Sequence, residues 1–319
     1  MEIIFSKQKL TPINQSILTV GSYDGIHRGH QKLLSILVEK SKSYNLPSVL
    51  VTFDPHPRHV LNKEPTRLPL IMSLDQKLEI IESLGIDIVY IINFTLLFSK
   101  ISAERFMIET ILPNFNPKKL IIGINHHFGR DRKGSPSFLK DFGKRNNLDI
   151  VIIKPVLDNQ SEISSSRIRD FIISGFIRRA NYELGTYFSI SGEVIHGSSR
   201  GKDLMFKTAN IKPLEKNQLF PKIGVYLVRG RIIGLNAFGM CNIGVRPTFG
   251  ENKLVMEIHF FHDEVLNLYG EMVKIEFLER IRDEKKFPTS KDLVKQLKRI
   301  NILVWKYPVS MNRRKYAYK

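Results

Sequence analysis

Short runs of β-forming residues, separated by stretches of helical periodicity, constrain the first half of this 319-residue chain more than anything else in it. They are SILTV (16–20), SVLVTF (48–53), IDIVYII (86–92), KLIIGI (119–124) and DIVIIKPV (149–156). Each is apolar almost without interruption. A strand can be apolar on both faces only where both faces are covered, which is the condition of a parallel sheet flanked by helices. Between the runs, residues 30–43, 74–84, 103–112 and 136–146 carry helical patterns, with Leu74, Leu78 and Ile81 on one stripe. This alternation predicts βαβ units and a doubly wound, Rossmann-like α/β sheet.

From about residue 187 the pattern changes. SISGEVIHG, GVYLVRGRIIGLNAFGMCNIG, LVMEIHFF and MVKIEFL are β-rich and joined by glycine-containing turns. No helical pattern intervenes until SKDLVKQLKRI, where Leu293, Leu297 and Ile300 share a stripe. Strands without crossovers predict an antiparallel β-barrel, here followed by a C-terminal helix. The expected division is therefore one domain over 1–186, a second over 187–310 and a basic tail over 311–319.

Composition narrows the function classes. The single cysteine, Cys241, excludes an internal disulfide framework and a thiolate zinc site. The start, MEIIFSKQKL, has an early acid and no long apolar core, unlike a secretory signal. The most apolar run, IDIVYIINFTLLF, is interrupted by Asp87 and Asn93 and falls short of a membrane span. A cytoplasmic location without membrane contact is the expectation. The net charge of +18 attracts anions, but the basic residues are spread along the chain rather than blocked. No nucleic-acid module and no basic patch interleaved with aromatics is present, which argues against a nucleic-acid partner.

The sharpest functional signal is GSYDGIHRGHQKLL (21–34), where a strand hands over to a helix. Backbone N–H groups and the positive end of the helix dipole make such a junction a phosphate site, and Gly21, Gly25 and Gly29 let a phosphate approach. His27 and His30 can donate hydrogen bonds to phosphate oxygens and stabilise charge that develops during transfer. HRGH, DPHP and NHH supply histidines, but none has zinc-site spacing. GSSRGKD (197–203) is one residue short of a P-loop and has Asp203 where a hydroxyl is needed.

The opening motif resembles the HxGH signature of nucleotidyltransferases, in the form found in bifunctional riboflavin kinase/FAD synthetases. VTFDPHPR (51–58), GINHHFGRDRKG (123–134), ISSSRIRDFIISGFIRRANYELG (163–185), GEVIHGSSRGKDLMFKTANI (192–211), GVY (224–226), NIGVRPTFG (242–250), MEIHFF (256–261), NLYG (267–270) and IRDEKKF (281–287) then follow in the family's order. The resemblance implies ATP-dependent phosphorylation of riboflavin to FMN and adenylylation of FMN to FAD, with Mg²⁺ at both sites. It implies His27 and His30 at the α-phosphate, with Gly21, Tyr23, Asp24, Gly25 and Gly29 around ATP, Asp24 holding the loop or a magnesium ion. Ser165, Ser166 and Arg167 would take the β- and γ-phosphates, and Asn125, His126 and Phe128 the flavin. In the second half it implies Gly197 and Lys202 at ATP, Thr208 and Asn210 at ATP and magnesium, Glu257 as general base, and Arg282 and Phe287 at the flavin.

Departures from the family pattern mark what stays open. Tyr23 stands for Phe, Ser166 for Thr, Asn125 for Asp and His126 for Phe. In the second half Met205 stands for Gly, Lys207 for Pro and Asn267 for Asp. One alternative is therefore an FAD synthetase whose second module only binds flavin. Another is a basic, non-catalytic nucleic-acid-binding regulator on the same scaffold. A homo-oligomer is compatible with all three.

Overall fold

The computed structural model describes residues 1–8, 10–61, 68–195, 209–232, 235–248, 251–261 and 269–285. The chain forms two compact units, Met1–Ser165 and Ser166–Lys319. In the first, β1 (Glu2–Phe5), β2 (Ser16–Val20), β3 (Ser48–Asp54), β4 (Ile88–Asn93), β5 (Pro117–Gly123) and β6 (Asp149–Ile153) form a parallel sheet in the order β1-β4-β3-β2-β5-β6. The edge strand β1 was not expected, because a four-residue apolar run beside a polar loop carries almost no periodicity.

Neighbouring residues of the central strands enter different cores. Ile17, Leu50, Val89, Ile91 and Ile121 face α1 (Arg28–Tyr44) and α3 (Leu74–Ser83), through Leu34, Leu37 and Ile81 among others. Leu18, Val20, Val49, Val51, Tyr90, Ile92, Leu120 and Ile122 face the opposite layer. That layer comprises α4 (Ala103–Phe106), a π-helical turn Met107–Ile111, α5 (Leu112–Phe115) and α6 (Pro136–Arg145). The short α2 (Pro57–Leu61) follows β3. The unbroken apolar runs are thus read on both faces, as parallel strands require.

Local chemistry ends the helices where the sequence turns. Ser73 and Gln76 form a reciprocal capping box at the start of α3. Asn45, at φ 52°, closes α1 in the left-handed conformation. A small hairpin, β7 (Leu157–Asp158) with β8 (Ser161–Glu162), closes the first unit.

The second unit begins with α7 (Ser165–Ile173), whose first residue closes the first unit, and α8 (Ile177–Leu184). A closed antiparallel barrel follows: β9 (Ser189–Ile195), β10 (Ala209–Pro213), β11 (Gly224–Ile232), β12 (Leu235–Thr248), β13 (Glu251–Phe260) and β14 (Met272–Arg282). Their order around the barrel is β10-β13-β12-β11-β14-β9, with β9 pairing β10, so no edge is left open. Ala209, Ile211, Cys241, Ile243, Met256 and Ile258 are buried and line one face of β10, β12 and β13. Buried Asn181 ties α8 to this unit: its Nδ2 donates to Phe277 O (2.8 Å), and its Oδ1 accepts from Phe188 N (2.8 Å).

Gly197, Lys202, Met205, Lys207, Thr208, Asn267 and Phe287 lie outside the described residues, as do the helical stripe Leu293–Leu297–Ile300 and the tail.

Candidate active sites

The sheet order changes direction at β2, whose neighbours are β3 on one side and β5 on the other. Open α/β sheets bind ligands at such a switch, beyond the carboxyl ends of the strands. The loop 21–27 leaves β2 there, and the loop from Ile124 leaves β5 there.

His27 is the N-cap of α1. Its Nδ1 accepts the backbone N–H of His30 at 3.4 Å, satisfying one orphan donor of the first turn. The two imidazoles stack, with centroids 3.8 Å apart and planes at 17°. Tyr23 meets His30 edge-on at 5.1 Å. The hydrogen bond at Nδ1 fixes the neutral His27 tautomer, leaving its proton on Nε2. Burial lowers the His27 pKa to about 4. His30 is lowered well below the ordinary range, first by burial and then by His27, and its Nδ1 has no hydrogen-bond partner among the described residues.

A short relay holds this pair over the sheet. Thr19, the polar residue inside SILTV beyond its first position, donates from Oγ1 to Ile121 O (2.7 Å) and sits 2.7 Å from Tyr23 Oη. Since the threonine proton goes to a carbonyl, the tyrosine is the donor between the two hydroxyls. Burial raises the Tyr23 phenol far above its ordinary pKa, so it stays protonated. Thr19 was not singled out from sequence, although a hydroxyl inside an otherwise apolar buried strand was the available signal.

The glycines shape the loop itself. A Cβ on Gly29 would lie 3.1 Å from the His27 ring, so glycine there seats the imidazole along the helix start. Gly25, at φ 79°, takes a conformation that other residues adopt at a cost. Asp24 is buried, and its Oδ1 accepts the Ile71 N–H (3.2 Å). Ser165 Oγ donates to Asp24 O (2.6 Å). Both residues hold the loop.

On the β5 side, Asn125 Nδ2 donates to Glu162 Oε2 (2.9 Å). The His126 Nε2 is buried without a hydrogen-bond partner among the described residues, and burial lowers its pKa to about 4. Phe128 packs on His126 (5.5 Å) and Phe106 (5.6 Å). In the second unit, Arg167 pairs with fully buried Glu183 (3.0 Å), which also meets Arg179 (3.3 Å). Sequence reasoning gave no role to Glu183.

In the barrel, Asn210 on β10, Glu257 on β13 and Asn242 on β12 are direct cross-strand neighbours. Their chain neighbours form the buried lining, so by strand alternation this polar row faces outward. Asn210 is nevertheless only 4% exposed, and its Oδ1 has no partner among the described residues. A buried carboxamide oxygen beside a carboxylate offers the hard oxygen donors that Mg²⁺ prefers. No group of three or more His, Cys, Asp and Glu able to hold a metal occurs among the described residues. Arg282 is on β14 opposite Val225, its Nη1 donating to Asp283 O (2.9 Å). Asn242 and Glu284, which complete this face, were not singled out from sequence.

Family models agree with both halves: FAD synthetase matches residues 10–167, and riboflavin kinase matches residues 184–300. Three relatives are each described as a bifunctional riboflavin kinase/FMN adenylyltransferase. That of Buchnera aphidicola subsp. Acyrthosiphon pisum is 36% identical, covering 96% of this chain and 98% of its own. That of Bacillus subtilis is 33% identical over 89% and 90% of the two chains, and that of Escherichia coli K12 is 32% identical over 90% and 91%. A crystal structure described as a macrolide-efflux protein from Streptococcus pneumoniae superimposes with a TM-score of 0.87 at 29% identity, covering 97% of this chain and all of that one. No helix among the described residues here is long and apolar enough to cross a membrane.

Proposed function

The chain belongs to the bifunctional riboflavin kinase/FMN adenylyltransferase family, and from that membership we propose how its residues divide flavin cofactor synthesis. It is a transferase: riboflavin is phosphorylated by ATP to FMN, and FMN is adenylylated by ATP to FAD with release of pyrophosphate. We assign adenylyl transfer to 1–186 and phosphorylation to 187–310. Under this division α7 and α8 carry motifs of the first activity while belonging to the second compact unit.

In adenylyl transfer an oxygen of the FMN phosphate attacks the α-phosphorus of ATP. The bond from that phosphorus to the bridging oxygen breaks, and pyrophosphate leaves with the electron pair. The attacking phosphate is already anionic near neutrality, so the task is placement and charge stabilisation rather than proton removal. His27 supplies an Nε2–H whose tautomer the N-cap bond fixes. His30, stacked on it, supplies the second imidazole. A polyphosphate beside them favours the protonated form of His30, whose Nδ1 has no bond to lose, and strengthens that donor, while His27 donates in its neutral form. Gly21, Tyr23, Asp24, Gly25 and Gly29 shape this loop. Ser165, Ser166 and Arg167 serve the β- and γ-phosphates, Ser165 exchanging its bond to Asp24 O for a phosphate oxygen. Asn125, His126 and Phe128 serve the flavin.

For phosphorylation, Glu257 accepts the proton of the ribityl hydroxyl as that oxygen attacks the γ-phosphorus of ATP, and ADP leaves. Asn210, with Thr208, would hold magnesium; bound there, Mg²⁺ neutralises phosphate charge. Gly197 and Lys202 are assigned to ATP, and Arg282 and Phe287 to the flavin. Such chemistry needs no membrane, and we propose a cytoplasmic enzyme.

The observation that carries the adenylylation assignment is the stacked, N-capping histidine pair at the sheet's switch point. The test incubates the purified chain with ATP and magnesium, starting from riboflavin in one reaction and FMN in another, and separates the flavins by chromatography. FAD from both supports the two-site reading. FAD from FMN alone restricts the chain to adenylylation, and no product from either overturns it.

A further inference from the structure

The outward polar row of the barrel continues past the proposed base. Asn242 stands directly beside Glu257 in the β12–β13 register, with Asn210 on the other side of Glu257. Directly opposed side chains of an antiparallel pair lie on the same face, with Cβ atoms about 4.5–5.5 Å apart. Asn242 is half-buried, and its Nδ2 donates to Oε1 of the exposed Glu284 at 3.2 Å. A Cβ added to Gly244, two residues on and on the same face, would lie 2.6 Å from that same Oε1. A side chain at 244 would push the carboxylate away from this position. Glu284 also acts electrostatically on Arg282, two residues before it at the end of β14.

A carboxamide nitrogen carries two hydrogens, and Glu284 takes one. We propose that Asn242 is a positioning residue for riboflavin phosphorylation: anchored by Glu284 through one N–H, it presents the other to the Glu257 carboxylate and fixes that side chain for proton abstraction. This rests on the reading of Glu257 as the base. A base must meet its hydroxyl within hydrogen-bond reach, and a donor on its carboxylate favours the rotamers that do so. A donor to the ionised carboxylate also keeps it ionised at lower pH. Glu284 is the acceptor end of the device, and Gly244 leaves space for its carboxylate.

The experiment uses the full chain and measures riboflavin phosphorylation against pH, with FAD formation from FMN as a check on folding. Asn242→Ala is expected to lower kcat about 10-fold with KM for ATP changed less than about 2-fold, since a transition-state contact is lost rather than ground-state binding. Its acid limb moves up by about 0.5–1 pH unit, because the carboxylate loses a donor. Asn242→Asp moves that limb further, setting a like charge beside Glu257. Glu284→Ala and Gly244→Val reproduce part of the Asn242→Ala loss. Glu284→Gln restores activity, because its amide oxygen still accepts from Asn242. An unchanged acid limb in Asn242→Ala, or Glu284→Gln behaving like Glu284→Ala, overturns the proposal. Glu257→Gln separates the two levels: if it keeps full kinase activity, the base assignment itself falls. If it abolishes activity while the Asn242 variants match the parent, only the positioning role falls.

Discussion

The two units hold chemistry in opposite ways. In the first, the central strands are covered on both faces, which leaves the sheet's carboxyl edge for a site. The histidine pair, the Thr19–Tyr23 relay and the β5 loop gather there because βαβ topology leaves no other place. In the second, the closed barrel packs its interior with Cys241, Ile243, Met256 and Ile258, so the polar row proposed for phosphorylation lies on the other face of three adjacent strands. An edge site is built from loop conformation, and it is sensitive to backbone changes. A strand-face site is built from register, and it is sensitive to side-chain identity.

Four substitutions or conditions separate these regimes. Glu257→Gln should cut FMN formation from riboflavin by ~10²–10⁴-fold, the scale of a general base, and leave FAD formation from FMN intact. Parallel assays from the two flavins read this directly, and loss of both activities breaks the comparison. His30→Ala should cut FAD formation by ~100-fold or more, the scale of one transition-state donor, with FMN formation unchanged.

Acidification should weaken the first unit. Burial holds His27 and His126 at about 4 and His30 well below its ordinary value. Each lies under the ~6.5 of the unfolded chain, so the unfolded state binds more protons in between. Stability is therefore full above pH ~6.5 and falls as pH drops toward ~4, by about 1.4 kcal/mol per unit for each imidazole. Urea unfolding at several pH values measures this slope, and a flat profile would show that the imidazoles are solvated.

The smallest effect is that of Thr19→Val. It removes the link between the Tyr23 hydroxyl and Ile121 O, and should cost about 1–3 kcal/mol by leaving a buried donor unmet. Thermal unfolding reads the cost. A matching fall in FAD formation, with FMN formation unchanged, would tie the relay to the histidine pair.

Much of this was legible in the residues. The continuous apolar runs foretold strands buried on both sides, and helical spacing placed α1, α3 and α6 within a few residues. The HxGH pattern falls at the β2–α1 junction, the strand-to-helix turn expected of it. Strand β10 was missed: Asn210 and Pro213 dilute its pattern, and only pairing with β9 and β13 makes it a strand. The tie from Asn181 on α8 to Phe277 O on β14 joins residues far apart in the sequence, so periodicity could not show it.

What the sequence determined by itself was the set of elements and the chemical motifs, because periodicity and turn chemistry are local properties. Tertiary structure alone decided which distant residues meet. Thr19 reaches Ile121 across 102 residues, and Asn242 reaches Glu284 across 42. It also gave the glycines a second role, since a Cβ at Gly29 would crowd the His27 ring and one at Gly244 would displace the Glu284 carboxylate. Such contacts depend on strand order and register, which arise from the burial of whole layers and are carried by no short stretch of the chain.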